Sequence, residues 1–144
     1  MPQGRVDLTP GAVLHIKGFS SRGHPAKNKY ILILGCLTDS EVLGFLISSQ
    51  LAYLKQESHK REVVRIPDKA TAFLRFESII QCFELEYLSL SALCDGFDQG
   101  TVTNVGRLAQ RYLQKVREAV GESRLLSQLD IERALKILPS GALS

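Results

Sequence analysis

Hydrophobic and polar residues change their spacing about two-thirds of the way along the chain. Between residues 11 and 87, short apolar runs are separated by turn residues, a pattern typical of β-strands. Between residues 104 and 138, apolar residues recur with the 3.6-residue period of α-helices. The pattern predicts a mainly β, α+β fold, in which a small, strongly bent antiparallel barrel at about 11–90 carries appended C-terminal helices at about 104–138.

The strand predictions differ in how they are buried. The candidate segments are residues 11–17, 29–36, 42–47, 62–67, 73–77 and 78–87. Segment 29–36 is apolar on both faces, which predicts a central strand buried on both sides. Pro67 ends segment 62–67, which we place at a sheet edge because proline cannot donate to a ladder. Segment 78–87 alternates most clearly, with Ile79, Phe83, Leu85 and Tyr87 on one face.

Capping residues set the limits of two predicted helices. Thr103 or Asn104 is expected to cap the first helix, which then ends at Gly121. Ser127, with Asp130 three residues later, resembles a capping box for a last helix over Gln128–Leu138.

Composition indicates one soluble domain spanning residues 1–144. Of these 144 residues, 44% are hydrophobic and 23% are charged, which is close to the average for globular domains. No apolar run approaches the roughly 20 residues of a membrane span, so no membrane partner is expected. No apolar signal-peptide core follows the N-terminus, and the three cysteines lack metal or redox spacing, so we expect a cytoplasmic protein. A net charge of +3 permits an anionic partner such as RNA.

Polar residues at the predicted strand ends carry the only candidate chemistry. The sequence has no phosphate-binding glycine loop, no nucleophile elbow and no zinc motif, so no cofactor or metal is expected. Lys29 opens the buried strand, and Ser48 and Ser49 close its hairpin partner, so antiparallel pairing brings them to one end of the sheet. The loop before this strand, which contains Arg22, His24 and Lys27, enters at the same end. A cation, two hydroxyls and a histidine that lie close together suit phosphodiester chemistry. The alternative interpretation is that they are the ordinary polar residues found at the ends of strands.

The order of the segments resembles a known family. Ile47-Ser48-Ser49 at a strand end is followed by Val64-Arg65-Ile66-Pro67, by residues 78–89, by Gly100-Thr101-Val102-Thr103 and by a basic amphipathic helix. Over about residues 11–121, this order resembles the MazF/PemK/Kid toxins of bacterial toxin–antitoxin systems. The resemblance implies an SH3-like barrel, a homodimer, an antitoxin protein as partner, and a metal-independent endoribonuclease acting on single-stranded RNA.

The resemblance also implies roles for individual residues. Where the family has an Arg-Pro pair with a catalytic arginine, this sequence has Lys29-Tyr30. Where the family has an Ile-Thr-Ser strand end, this sequence has Ile47-Ser48-Ser49, so Ser48 takes the position of the catalytic hydroxyl. The hypothesis assigns catalysis to these two side chains with the flanking polar groups Ser49 and His24. It assigns RNA binding to the basic side chains Arg22, Lys27, Lys69 and Arg75.

Lysine in place of arginine changes the expected chemistry. Arginine offers a bidentate fork to two phosphate oxygens, whereas lysine offers one mobile point charge. Either His24 takes over proton transfer, or the site is weakened or lost.

Two other functions fit the same sequence. One is a non-catalytic SH3-like barrel that binds protein or nucleic acid, because a fold does not dictate function. The other is poisoning of DNA gyrase through the last helix, although Pro139 and a small polar tail follow this helix, so it lacks the free aromatic or charged end expected for that role. Residues 63–66 form a candidate edge for dimerisation, although Glu62, Arg65 and Pro67 could instead protect that edge in a monomer.

Overall fold

The computed structural model of the protein describes residues 5–20, 26–48, 62–67, 70–74 and 77–139. The strands in these residues are β1 (Ala12–Phe19), β2 (Lys27–Cys36), β3 (Glu41–Ser48), β4 (Val63–Ile66), β5 (Ser78–Gln81), β6 (Glu86–Ser89) and β7 (Val102–Arg107). The helices are α1 (Leu90–Gln99), α2 (Gln110–Gly121) and α3 (Gln128–Ile137).

The strands form one antiparallel sheet with the order β4-β5-β3-β2-β1-β7. The long strand β3 pairs with β5 near its C-terminal end and with β6 along its N-terminal half. The mainly β, α+β class is therefore confirmed. Within the described residues the sheet is open, with β4 at one edge and β7 at the other, so the predicted closure into a barrel is not observed. The edge position predicted for residues 63–66 is confirmed.

Apolar clusters cover both sides of the sheet. On one side, which we call the α2–α3 side, the sheet packs against both C-terminal helices through buried residues such as Leu32, Phe45 and Val116. On the other, the α1 side, Leu14, Ile31 and Ile33 pack with Leu93 of α1. The residues of β2 from Ile31 to Leu34 are fully buried, which confirms the prediction of a central strand covered on both sides.

The region from 78 to 107 differs most from the prediction. The predicted strand 78–87 is two strands, because a turn at 82–85 separates β5 from β6. Helix α1 follows at once, capped by the Ser89 hydroxyl, which accepts from the backbone N–H of Ala92 at 3.2 Å. Thr103 and Asn104 lie inside strand β7 and cap no helix. The helix predicted to follow them begins at Gln110, after an N-cap residue, Ala109, that makes no side-chain capping bond.

The ends of the last two helices agree with the prediction. Helix α2 ends at Gly121. Helix α3 begins after Ser127, whose hydroxyl accepts from the N–H of Asp130 at 3.1 Å. No helix in the described part of the chain is both long and apolar enough to cross a membrane.

Candidate functional site

Lys29 and Ser48 lie next to each other at one end of the sheet. In the β2–β3 ladder Tyr30 pairs with Ile47, and extending this register by one residue sets Lys29 opposite Ser48. Residues directly opposite on antiparallel strands project to the same side of the sheet. Lys29 lies two residues before Ile31, and Ser48 lies two residues after Leu46. Because every second residue of a strand faces the same side, both side chains project to the α1 side, as Ile31 and Leu46 do. Both residues are half-buried. Lys29 and Ser48 are therefore neighbours across strands β2 and β3, at the same end and on the same side of the sheet.

Arg65 continues this pair across the sheet. Ser48 pairs with Ile79, and Ile79 pairs with Arg65 of the edge strand β4. Val64 and Ile66 are buried on the α2–α3 side, so the alternation turns the exposed Arg65 to the α1 side. We call Lys29, Ser48 and Arg65 the polar row. With strands about 4.8 Å apart, the backbone of Arg65 is about 10 Å from that of Ser48.

Further lysines surround the Lys29 end of the polar row. Lys27 is exposed and lies two residues before Lys29, on the same side of the strand. Lys17 is exposed at the adjacent end of β1. The side-chain oxygen of Asn28 accepts from the N–H of Gly18 at 3.1 Å, which ties these two strand ends together. The Lys29 end of the polar row therefore has three lysines close together, Lys17, Lys27 and Lys29.

Five of the predicted site residues lie outside the described residues. They are Ser49, His24, Arg22, Lys69 and Arg75. Their assignment to the site remains a prediction from the sequence.

His15 lies on the opposite side of the sheet from the polar row. It pairs with Tyr30, and the two rings are tilted by 59° with their centroids 4.9 Å apart. Tyr30 packs against the cluster on the α2–α3 side. This imidazole is therefore a half-buried packing group.

The thiols form no disulfide and no metal cluster in the described part of the chain. Cys82 is fully buried, and this burial raises the pKa of its thiol far above the ordinary value. Cys36 and Cys94 are exposed.

A second constellation, which the sequence analysis missed, joins β6 to α3. The Tyr87 hydroxyl donates a short hydrogen bond to Asp130, and Arg133 donates to the Tyr87 oxygen at 3.0 Å. The guanidinium also lies over the Tyr87 ring, with its central carbon 5.6 Å from the centroid. Burial raises the pKa of Tyr87, and the hydrogen bond to Asp130 raises this pKa further. The phenol is therefore held in its neutral form, as a hydrogen-bond donor.

Glu62 ties β4 to the turn between α2 and α3. Its buried carboxylate accepts a short hydrogen bond from the Ser123 hydroxyl. It also accepts from the N–H groups of Arg124 and Leu125 at 2.8 and 3.2 Å. In the sequence, Glu62 is one of the residues that could protect the sheet edge in a monomer, whereas in the structure its carboxylate holds a turn.

Between these two constellations lies an open cavity of about 420 Å³. The β5–β6 turn forms one wall, and the start of α3 with the turn before it forms the other. Its lining residues are Phe83, Glu84, Leu85, Leu125, Leu126, Ser127 and Asp130. No lining residue belongs to the polar row, so the cavity is a separate feature of the molecule.

The chain matches no model of a known protein family, and it matches no curated protein.

Proposed function

We propose that the protein is a metal-independent endoribonuclease that cleaves single-stranded RNA at the polar row. One observation carries the proposal: a lysine and a serine are neighbours across strands β2 and β3, and an arginine follows in the same row. Cationic and hydroxyl groups at this spacing suit a phosphodiester, because they can surround its non-bridging oxygens.

Cleavage without a metal uses the 2′-hydroxyl of the substrate as nucleophile. A base removes its proton, the 2′-oxygen bonds to phosphorus, and the bond to the 5′-oxygen breaks as that oxygen gains a proton. The products are a 2′,3′-cyclic phosphate and a 5′-hydroxyl. In this proposal Lys29 stabilises the negative charge that develops on the phosphorane, and the Ser48 hydroxyl donates to a non-bridging oxygen. His24 is proposed for proton transfer and Ser49 as a neighbouring hydroxyl.

The remaining cations are proposed to hold the RNA backbone. At about 10 Å from Ser48, Arg65 is suited to a phosphate next to the scissile one. Arg22, Lys27, Lys69 and Arg75 are proposed to extend this contact. Because each neutralised phosphate releases counterions, RNA affinity is expected to fall steeply with salt.

The proposal includes the protein partners that the resemblance implies. A toxin of this kind acts in the cytoplasm, forms a homodimer and is inhibited by an antitoxin protein. The edge strand β4 supports the dimer, because within the described residues no strand pairs with its outer side.

The test is cleavage of a long unstructured RNA in EDTA by the wild type, Lys29→Ala and Ser48→Ala. Removing the charge stabilisation is expected to lower the rate by about 10²-fold or more, by analogy with loss of one oxyanion donor. Lys136→Ala is a matched control, because Lys136 is exposed in the last turn of α3. Products ending in a 2′,3′-cyclic phosphate support the mechanism.

Two results would contradict the proposal or replace it. Equal rates for the wild type and Lys29→Ala would remove Lys29 from the chemistry. RNA retention without cleavage, weakened by Arg65→Ala, would favour the alternative of a non-catalytic barrel that binds nucleic acid.

A further inference from the structure

One buried side-chain amide beside the polar row has no hydrogen-bond partner. Gln81, the last residue of β5, is 4% exposed, and its Nε2 forms no hydrogen bond within the described part of the chain. A buried donor without an acceptor costs stability, so it needs a physical explanation. We propose that this amide is a further catalytic group, which donates a hydrogen bond to a non-bridging oxygen of the scissile phosphate. This role rests on the proposed cleavage of RNA at the polar row.

The strand register places Gln81 diagonal to two members of the polar row. Ser48 and Arg65 both pair with Ile79, one from each neighbouring strand. Gln81 follows two residues later in β5, and the intervening Ile80 packs on the α2–α3 side, so the Gln81 side chain projects to the α1 side. Diagonal neighbours on one face of a sheet lie about 7–8 Å apart. A phosphate bound at the polar row is therefore within reach of the Gln81 side chain.

The residues beside Gln81 explain why its amide lacks an acceptor. Val63 pairs with it on β4, and extending the β3–β5 register by one residue sets Leu46 opposite it on β3. Both neighbours are apolar and offer no side-chain acceptor. Glu86 of β6 also projects to the α1 side, since Leu88 two residues later does, but its carboxyl group does not accept from Nε2. The donor is therefore available to a phosphate oxygen, and rotation about the side-chain bonds of Gln81 turns the amide toward the polar row.

The chemistry of the cleavage step explains why a neutral donor is useful there. As the 2′-oxygen bonds to phosphorus, negative charge accumulates on the non-bridging oxygens, and it disperses when the bond to the 5′-oxygen breaks. Lys29 and Ser48 are proposed to act on this charge, and Gln81 adds an uncharged donor that keeps its proton throughout. The proton transfers therefore remain those already proposed. A hydrogen-bond donor in surroundings of low dielectric constant stabilises such charge more strongly than the same donor in water.

The experiment compares cleavage and stability in Gln81→Met, which replaces the amide by an apolar side chain of similar length. Single-turnover cleavage of RNA in EDTA is expected to slow by about 10²-fold, as for loss of one oxyanion donor. The urea midpoint is expected to rise by about 0.5 M, because the unsatisfied donor is removed. Removal of a merely structural amide would instead lower both the cleavage rate and the urea midpoint.

Gln114→Met is the matched control, because Gln114 is also a glutamine with a buried side-chain atom, Oε1, that has no partner in the described residues. It belongs to α2, which packs on the opposite side of the sheet from the polar row. This variant is expected to cleave RNA at the wild-type rate, with a urea midpoint no lower than that of the wild type.

Phosphorothioate RNA tests the hydrogen bond itself. Sulfur is a weak acceptor, so replacing the one non-bridging oxygen that Gln81 contacts is expected to slow the wild type by about tenfold. In Gln81→Met, the same replacement is expected to change the rate by less than about twofold, because the hydrogen bond is already absent.

Failure of the catalytic role and failure of the proposed function give different results. Cleavage by the wild type and by Gln81→Met at equal rates would remove Gln81 from the chemistry and leave the polar row in place. Loss of both activity and stability in the variant, or an equal phosphorothioate effect in the two proteins, would also overturn the catalytic role. If the wild type cleaved no RNA, the proposed function itself would fail, and the catalytic role of Gln81 would fail with it.

Discussion

At the scale of single residues, the buried carboxylate of Glu62 makes the clearest structural contribution. It accepts from one hydroxyl and two backbone N–H groups of the turn between α2 and α3. Glu62→Ala removes all three of these hydrogen bonds, and a hydrogen bond to a charged group contributes about 1.5–3 kcal/mol. We therefore expect the free energy of unfolding in urea to fall by about 2–4 kcal/mol.

A second glutamate provides the control for this prediction. Glu118 is exposed on α2, so Glu118→Ala is expected to change the free energy of unfolding by less than about 0.5 kcal/mol. If the two variants had equal stability, the hydrogen bonds of Glu62 would not contribute to the fold.

The residues of the polar row differ in how well the sequence predicts them. Lys29 and Ser48 could be paired from the sequence, because both lie at the ends of strands joined by a short turn, which fixes the register. Arg65 could not be added, because its place two strands away from Ser48, in the same row, depends on β5 lying between β4 and β3. Non-consecutive pairing of this kind has no local signal. The contacts of Glu62 and Tyr87 to residues more than 40 positions away were missed for the same reason.

At the scale of elements, strand β7 holds the N-terminal segment against the sheet. The Asn104 side chain accepts from the N–H of Asp7 at 2.8 Å and donates to the carbonyl of Arg5 at 2.9 Å. Arg107 forms an ion pair with Asp7 at 2.8 Å and donates to the Thr9 hydroxyl at 2.6 Å. These contacts keep Val6 and the following residues against the cluster on the α1 side.

The pKa of Asp7 makes this attachment dependent on pH. Burial acts to raise the pKa, but hydrogen bonds from Thr9 and Arg107 outweigh burial and lower it below its ordinary value of 3.8. A lowered pKa means that the carboxylate stabilises the attachment above pH 3.8, and that this is lost as the pH falls through the lowered value. We expect the heteronuclear NOE of the Leu8 amide to fall when the pH is taken from about 6 to about 2.5.

Asp7→Asn tests the cause of that dependence. The variant is expected to show a reduced NOE at Leu8 already near pH 6 and little further change on acidification. A wild-type NOE that stays constant down to about pH 2.5 would show that Asp7 does not control the segment.

Element prediction failed where local signals competed. The alternation from Ser78 to Tyr87 suggested one strand, but β5 and β6 pair with opposite ends of β3, which requires the turn at 82–85. Helix α1 did carry signals: Ser89 caps it, and Gly100 ends it with a φ of +84°, which favours glycine. The Thr103-Asn104 pair looked like a helix cap, whereas its partners are residues of β1 in the sheet. The last helix was predicted well because its cap is local.

At the scale of the whole molecule, strand β2 joins the two cores. Leu32 and Leu34 pack on the α2–α3 side, whereas Ile31 and Ile33 pack on the α1 side. Consecutive residues of one strand therefore belong to different clusters. Loss of this strand exposes both clusters at once, so the described fold is expected to unfold as one cooperative unit.

That cooperativity can be tested with one substitution on each side of β2. Leu32→Ala and Ile33→Ala each remove a fully buried side chain, and each is expected to cost about 2–5 kcal/mol. The tyrosines of the described residues, Tyr30, Tyr87 and Tyr112, all pack on the α2–α3 side, away from Ile33, so tyrosine fluorescence tests whether a change on one side reaches the other. For both variants we expect the urea midpoints from tyrosine fluorescence and from far-UV circular dichroism to shift together. If Ile33→Ala moved the circular dichroism midpoint but left the fluorescence midpoint in place, the two sides would be independent units, and β2 would not couple them.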